Sequence, residues 1–425
     1  MSELTRRDAL RAGLAVTAGT LVTPAFASTL ARSGSDTIRV GVIACGGRGT
    51  GAAWNALDAD PSTRIVAMAD LFEDRINSSL KNLTGEDGWP ERVNVPPERR
   101  FVGFDAYKQL LELDDVDYVC LATPPHFRPI HFEAAVRAGK HVFMEKPAGA
   151  DPAGVRRVLA AAQEADTKSL SVVAGTQRRY QDNYLDLMER ISDGAIGEPV
   201  AARCYWNQGG LWVKDRQPGE SDMSWQCRNW LYFDWLSGDH VVEQHVHNLD
   251  VVNWVMGGPP VRCVGMGGRQ VRTETKYGNI FDHFAIDYEY ANGARLMSMC
   301  RQIDGCHVQV EEHVQGTKGR SLSRHGYSRI DGASTWDVRG SANPYVTEHQ
   351  ALIASIRGDR PRINDAERLA HGTLTAIMGR MSAYTGKEVT WEQAMNSSLD
   401  LSPAKYSFGT NPVSPIPTPG RTPLI

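Results

Sequence analysis

The chain has 425 residues, is 41% apolar and 23% charged, and carries a formal net charge of −4. That length allows two domains, and the composition is that of an ordinary soluble globular protein. The slightly acidic balance excludes a surface built to attract nucleic acid or an anionic membrane.

Residues 1–27 read as an export signal rather than as part of the fold. Thr5-Arg6-Arg7-Asp8-Ala9-Leu10 is a twin-arginine pattern, a mildly apolar stretch runs from 12 to 25, and Ala25-Phe26-Ala27 is an A-x-A cleavage site before Ser28. The apolar stretch is too short for a membrane span. Twin-arginine export moves folded proteins, so a periplasmic or secreted protein is expected, with any nucleotide acquired in the cytoplasm and held tightly. The seven cysteines contain no C-x-x-C pair. Cys45 and Cys120 read as small buried apolar residues, and Cys300 and Cys306 are spaced to pair across a hairpin.

Over 36–177 strands and helices alternate. Strands are expected at 38–43, 64–70, 100–103, 118–123, 141–144 and 170–174, with helices at 51–59, 107–113, 129–138 and 152–165. This is the pattern of a doubly wound, parallel, Rossmann-type sheet with right-handed crossovers, and ligands sit at the carboxyl ends of its strands. Over 178–390 the pattern changes. A helix at 184–191 and a strand at 200–206 precede an aromatic-rich loop, 207–232, that holds Trp212, Trp225 and Trp230. A helix at 240–256 follows, then strands at 261–271, 281–290, 294–301 and 307–315, several joined by turns such as Asn292-Gly293. Helices at 346–356 and 366–383 close this part. The expected fold class is α/β at the N-terminus plus an α+β domain with an open, mainly antiparallel sheet. Pairing of two such open faces predicts a homo-oligomer, a dimer or tetramer. Residues 391–425 form a proline-rich arm, with six prolines from Pro403 onward. It is expected to be docked on the body, docked on a partner subunit, or disordered.

Four segments carry chemistry. Ala44-Cys45-Gly46-Gly47-Arg48-Gly49 lies between a strand and a helix, and Asp70 ends the next strand. Backbone N–H groups of Gly46, Gly47, Arg48 and Gly49 at a helix N-terminus suit a pyrophosphate. A carboxylate at Asp70 suits both ribose hydroxyls and repels a 2′-phosphate, so NAD is expected rather than NADP. Ala44 stands where a glycine is usual, a strained choice if its φ is positive. The second segment is Glu145-Lys146-Pro147, at the end of the strand 141–144. The Lys146 ammonium is suited to hold a substrate hydroxyl and lower its pKa. Pro147 sets the turn that aims it, a cis bond being one way to do so.

The third segment runs from Gly238 to Asp250. On a helix Glu243, His247 and Asp250 share one face. The extra histidines His240 and His245 raise the question of a metal, but Glu243, His245 and His247 converge only on a strand, so no metal is expected. The fourth is Gln177-Arg178-Arg179-Tyr180, at the domain junction. Arg178, Arg179 and Tyr180 are suited to sugar hydroxyls or a carboxylate. Tryptophan faces stack on sugar rings, with Trp225 and Trp230 the expected contacts.

On these residues the chain resembles the Gfo/Idh/MocA oxidoreductase family, which includes glucose–fructose oxidoreductase and inositol dehydrogenases. The resemblance rests on the glycine-rich turn with Asp70, on Ala122-Thr123-Pro124-Pro125-His126, on Ala138-Gly139-Lys140-His141-Val142 and on Glu145-Lys146-Pro147. It implies a nucleotide-binding first domain and a second domain whose sheet lines a sugar site. It implies that Thr123, Pro124 and His126 line the nicotinamide side, with Glu145 near the cofactor and Lys146 bridging cofactor and substrate. His247 is then the acid/base for the substrate hydroxyl, with Glu243 beside it where the family commonly has an aspartate. The expected function is hydride transfer between tightly bound NAD and a sugar, glycoside or polyol. A glycosidase or lyase of the same fold, working by transient oxidation and elimination, is the chief alternative. A non-catalytic nucleotide- or sugar-binding protein is the lesser one.

Overall fold

The computed structural model describes residues 37–340 and 342–425, so the export-signal segment lies outside the described residues. Six strands form an all-parallel sheet: β1 (Ile38–Ile43), β2 (Thr63–Asp70), β3 (Arg100–Val102), β4 (Tyr118–Leu121), β5 (His141–Met144) and β6 (Val172–Ala174). Their order is β3-β2-β1-β4-β5-β6. The chain direction of growth reverses between β1 and β4, which opens a crevice at the carboxyl ends of those strands. Every residue of β4 and β5 is buried, as their unbroken apolar runs require.

Two helices depart from the expected pattern here. Helix Gly47–Ala59 starts inside the glycine turn rather than at 51, because glycines carry no periodicity to read. Helix Glu73–Leu83 was not expected. Only Ile76, Ser79 and Leu83 are buried along it, so its apolar stripe is too thin to signal a helix.

The second sheet has nine strands: β7 (Pro199–Gln208), β8 (Arg262–Gly268), β9 (His283–Glu289), β10 (Arg295–Gln302), β11 (Gln309–Gly316), β12 (Arg320–Arg324), β13 (Tyr327–Asp331), β14 (Thr335–Arg339) and β15 (Val389–Thr390). Their order is β14-β13-β12-β11-β7-β10-β9-β8-β15, antiparallel except for the β7–β10 pair. Strands β12 to β14 extend the expected sheet; rich in serine and arginine, they lack the apolar alternation that marks a half-buried strand. Strand β10 alternates buried and exposed residues. One face of the sheet packs on helices, and the other leaves Val264, Met266, Met297 and Met299 exposed.

The helix expected at 240–256 is broken into His240–Glu243 and Val246–Met256. His245, at the break, meets β10 through Nε2 and the Ser298 hydroxyl, 2.7 Å apart. One apolar core runs from Ile43 to Ala394 and joins both sheets. Helix Ala366–Thr385 is buried along most of its length and packs on β8 and on helix Pro152–Thr167. The far edge of the parallel sheet is tied to the same part of the chain, with Val172 N–H donating to Ile363 O (2.8 Å) and Asp365 N–H to Val172 O (2.9 Å). The proline-rich arm is docked on the body: Met223 N–H donates to Gly409 O (3.1 Å) and Gly420 N–H to Thr385 O (2.8 Å). All seven cysteines are free, so Cys300 and Cys306 do not pair.

Candidate active site

Strand β1 ends in Ala44, whose φ is 76°. The alanine therefore occupies the left-handed region that glycine enters more easily. Its N–H donates to Ala69 O at 2.8 Å, which locks the turn to β2. A Cβ on Gly49 would stand 1.7 Å from Ala44 O, so only glycine lets the helix start this close to the turn. Gly46 and Gly47 face open space instead. The Asp70 carboxylate accepts from Cys45 N–H (2.6 Å) and Phe72 N–H (2.9 Å). Burial pushes its pKa up, and these two donors oppose that shift. Each carboxylate oxygen keeps a lone pair for a further donor.

Beside this turn lies a cavity of about 460 Å³. Gly46, Gly47, Arg48, Gly49 and Asp70 form one end, and Thr123 and Pro124 lie further along. Phe72, Phe104 and Phe127 give it aromatic walls, while Trp212, Lys214, Arg228 and Trp230 reach over from the second half of the chain. Arg228 stacks 3.8 Å from the Phe72 ring centre and pairs with Asp74 at 2.8 Å. Three buried polar atoms in the lining, Thr123 Oγ1, His131 Nδ1 and Arg48 Nη2, have no partner among the described residues. An open glycine cradle at a helix N-terminus, a carboxylate with spare lone pairs and unpaired polar atoms in an aromatic slot fit an adenine dinucleotide.

Strand β5 delivers Glu145 and Lys146 to the same edge, and the Lys146–Pro147 bond is cis. Arg128 fixes this turn from behind, donating to Pro147 O (2.6 Å) and Thr123 O (2.5 Å). Glu145 pairs with Arg48, whose guanidinium lies over Tyr345 at 4.8 Å. Lys146 Nζ donates to Glu243 O (2.5 Å) and Oε1 (2.9 Å). His247 is buried and stacks on Trp206, with ring centres 5.6 Å apart. Its Nδ1 has no partner among the described residues. Burial, reinforced by the Lys146 charge, pushes its pKa well below the ordinary histidine value. The ring is therefore neutral and free to accept a proton.

The family model of the Gfo/Idh/MocA oxidoreductases, an NAD-binding Rossmann fold, matches residues 38–173. The model of the Gfo/Idh/MocA C-terminal domain matches residues 184–321. The chain belongs to the Gfo/Idh/MocA oxidoreductase family. It is similar to an inositol 2-dehydrogenase of Rubrobacter xylanophilus, 27% identical over 79% of this chain and 88% of that protein. A myo-inositol 2-dehydrogenase of Thermotoga maritima is 26% identical over 67% of this chain and 74% of its own. The fold is shared with an aldose–aldose oxidoreductase from Caulobacter crescentus, with a TM-score of 0.64, 17% identity and coverage of 83% and 99%.

As a Gfo/Idh/MocA oxidoreductase the protein uses NAD; Lys146, bonded to Glu243 and near enough for its charge to act on His247, follows Glu145, which pairs with Arg48 of the cavity lining. Glu243 faces Lys146 rather than standing only beside His247. Several other expected site residues have partners within the chain. Arg178 is buried in an ion pair with Glu312. Asp250 is buried and paired with Arg179 at 2.8 Å, and Tyr180 donates to Asp365 at 2.6 Å. These four side chains are turned to internal partners and, like Lys146, Glu243 and His247, lie outside the lining of the cavity. His126 meets the Tyr406 hydroxyl through Nε2 at 2.9 Å, behind the cavity wall. Trp225 is core, donating to Lys214 O at 2.8 Å, whereas Trp230 lines the cavity. Among the described residues no cluster of three or more metal-ligating side chains occurs, and no helix is long and apolar enough to cross a membrane.

Sequence reasoning missed the aromatic wall. Phe72 follows β2, Phe104 follows β3, and Phe127 lies in the turn after β4, so all three sit just beyond strand ends at the edge where ligands bind. That position was the available signal. Lys214 and Arg228 had none, because only the tertiary fold brings their loop across the cavity.

Proposed function

We propose that the protein is an exported oxidoreductase that keeps its NAD and oxidises a hydroxyl of a sugar, glycoside or polyol, with a second, carbonyl-bearing substrate taking the hydride back. The observation that carries this reading is the Lys146–Glu243 pair, whose charge acts on His247 and which directly follows Glu145, the partner of Arg48 in the cavity lining. Two relatives named for inositol support a polyol or sugar as substrate. The twin-arginine pattern at 5–10 supports export and, with it, a resident cofactor. The open sheet face bearing Met266, Met297 and Met299 supports pairing of two copies.

The cofactor, held by Gly46 to Gly49 and Asp70, supplies a hydride acceptor when bound. The residues of this chain do the rest. Lys146 turns its ammonium from Glu243 to the substrate oxygen and steadies the negative charge that develops there. Glu243 keeps the lysine aimed. His247 takes the hydroxyl proton on its imidazole and returns it when the second carbonyl is reduced. Trp206, stacked on His247, fixes the plane of the ring.

A base must be neutral to take that proton. A depressed pKa keeps His247 neutral from below the ordinary histidine range upward. The acid limb of kcat/KM for polyol oxidation is therefore expected below about pH 6.5, the unperturbed histidine value. A profile measured over pH 5 to 9 reads this, and its acid limb should disappear in His247→Ala together with most of the activity. An acid limb at or above about pH 6.5 would contradict His247 as the base.

A further inference from the structure

We propose that the C-terminal arm is a working part of the cofactor site: Tyr406 and Phe408 brace its aromatic wall and slow the release of NAD. This rests on the resident-cofactor reading above. Two side chains of the arm touch all three wall rings. Phe408 stacks on Phe72 with ring centres 5.9 Å apart and lies 5.4 Å from Phe104. Tyr406 lies 6.4 Å from Phe104 and 5.9 Å from Phe127, and its hydroxyl meets His126. Phe72, Phe104 and Phe127 are themselves cavity walls. Phe72 follows Asp70 by two residues, so the braced end is the one that takes the ribose of the adenosine.

The arm is also tied to the helix that carries Arg228. Met223 N–H donates to Gly409 O, and Asn411 N–H donates to Asp222 Oδ2 at 3.0 Å. Asn411 and Gln226 exchange two further bonds, at 2.9 and 2.6 Å. Asp222 to Arg228 form the short helix that carries Arg228 to the cavity. The arm thus contacts both the phenylalanine wall and the helix that carries Arg228 over it, adding to the direct Arg228–Phe72 and Arg228–Asp74 contacts. Its far end is fixed independently, by Gly420 N–H on Thr385 O and by Ser397 Oγ on Ile425 O at 2.5 Å. Prolines reduce the freedom the arm loses on docking.

Tyr406 and Phe408 remain 39% and 53% exposed. They contribute little as core, so their removal separates the bracing role from folding. The test is the double variant Tyr406→Ala/Phe408→Ala in the full chain, loaded with NAD and chased with isotopically labelled NAD. Exchange is expected at least about tenfold faster than in the parent, a lower bound for the loss of four aromatic contacts, with the melting temperature of the nucleotide-free protein little changed. Exchange within about twofold of the parent would overturn the proposal. If the double variant melts far below the parent, Asn411→Ala decides instead: faster exchange supports the brace and an unchanged rate overturns it. A parent chain that exchanges NAD within seconds would refute the resident cofactor, while the variant-to-parent ratio still decides the role of the arm.

Discussion

Lys146→Ala is expected to lower turnover by about a hundredfold to ten-thousandfold, the range for loss of a positioned proton-handling group, while leaving NAD bound. Among the described residues Lys146 Nζ hydrogen-bonds Glu243, through two bonds. The dinucleotide cradle is built from other parts: the turn at Gly46 to Gly49, Asp70, and the aromatic walls. Removing the ammonium therefore removes the charge proposed to meet the substrate oxygen and leaves the cradle intact. Single-turnover rates with bound nucleotide counted by absorbance separate the two effects. A variant with near-parental turnover would remove Lys146 from the chemistry. A parent with no turnover on any polyol or sugar would favour the pure binding protein.

Arg178→Ala is expected to cost about 3–5 kcal/mol of stability, the scale for removing one partner of a buried ion pair. Its guanidinium is buried against Glu312. The same carboxylate accepts from Asn248 Nδ2 (2.7 Å), the Ser323 hydroxyl (2.8 Å) and the Tyr184 hydroxyl (3.1 Å). Loss of the arginine leaves that carboxylate charged and uncompensated in the core. The guanidinium also lies 5.6 Å from the Trp206 ring, which stacks on His247, so the pair supports the packing around the proposed base. Denaturant unfolding measures the cost. A variant as stable as the parent, with only a raised KM for substrate, would return Arg178 to the substrate site.

The two outcomes for arginine show where a sequence stops being legible. The glycine turn, Asp70 and Glu145-Lys146-Pro147 could be placed because strand, turn and ligand edge are local facts with a fixed geometry. Arg178, Arg179 and Tyr180 were assigned to substrate because they sit just past β6, at the ligand edge. Their partners Glu312, Asp250 and Asp365 come from distant segments, and only the tertiary fold reveals that the charges are already matched. The break at Gln244 and His245 was hidden for a similar reason. The periodicity of 240–256 suits one helix, but the His245–Ser298 contact and the packing of Cys204 against His245 pull the chain out of phase. Strands β12 to β14 escaped because a polar strand and a polar loop look alike in a sequence until a pairing partner is known. Ala44 was suspect as an alanine in a glycine position, and its φ of 76° is the strain that the concern anticipated.

The most direct test uses protein purified after export, with no nucleotide added. Titration with myo-inositol or an aldose, followed by the absorbance and fluorescence of reduced nicotinamide, asks whether NAD is resident and whether a hydroxyl is oxidised. The expected result is a single reduction, stoichiometric with bound nucleotide, that is reversed when a second, carbonyl-bearing sugar is supplied. No reduction by any sugar or polyol, with steady release of phenol from an aryl glycoside in the same preparation, would contradict it and leave redox-assisted glycoside cleavage in its place.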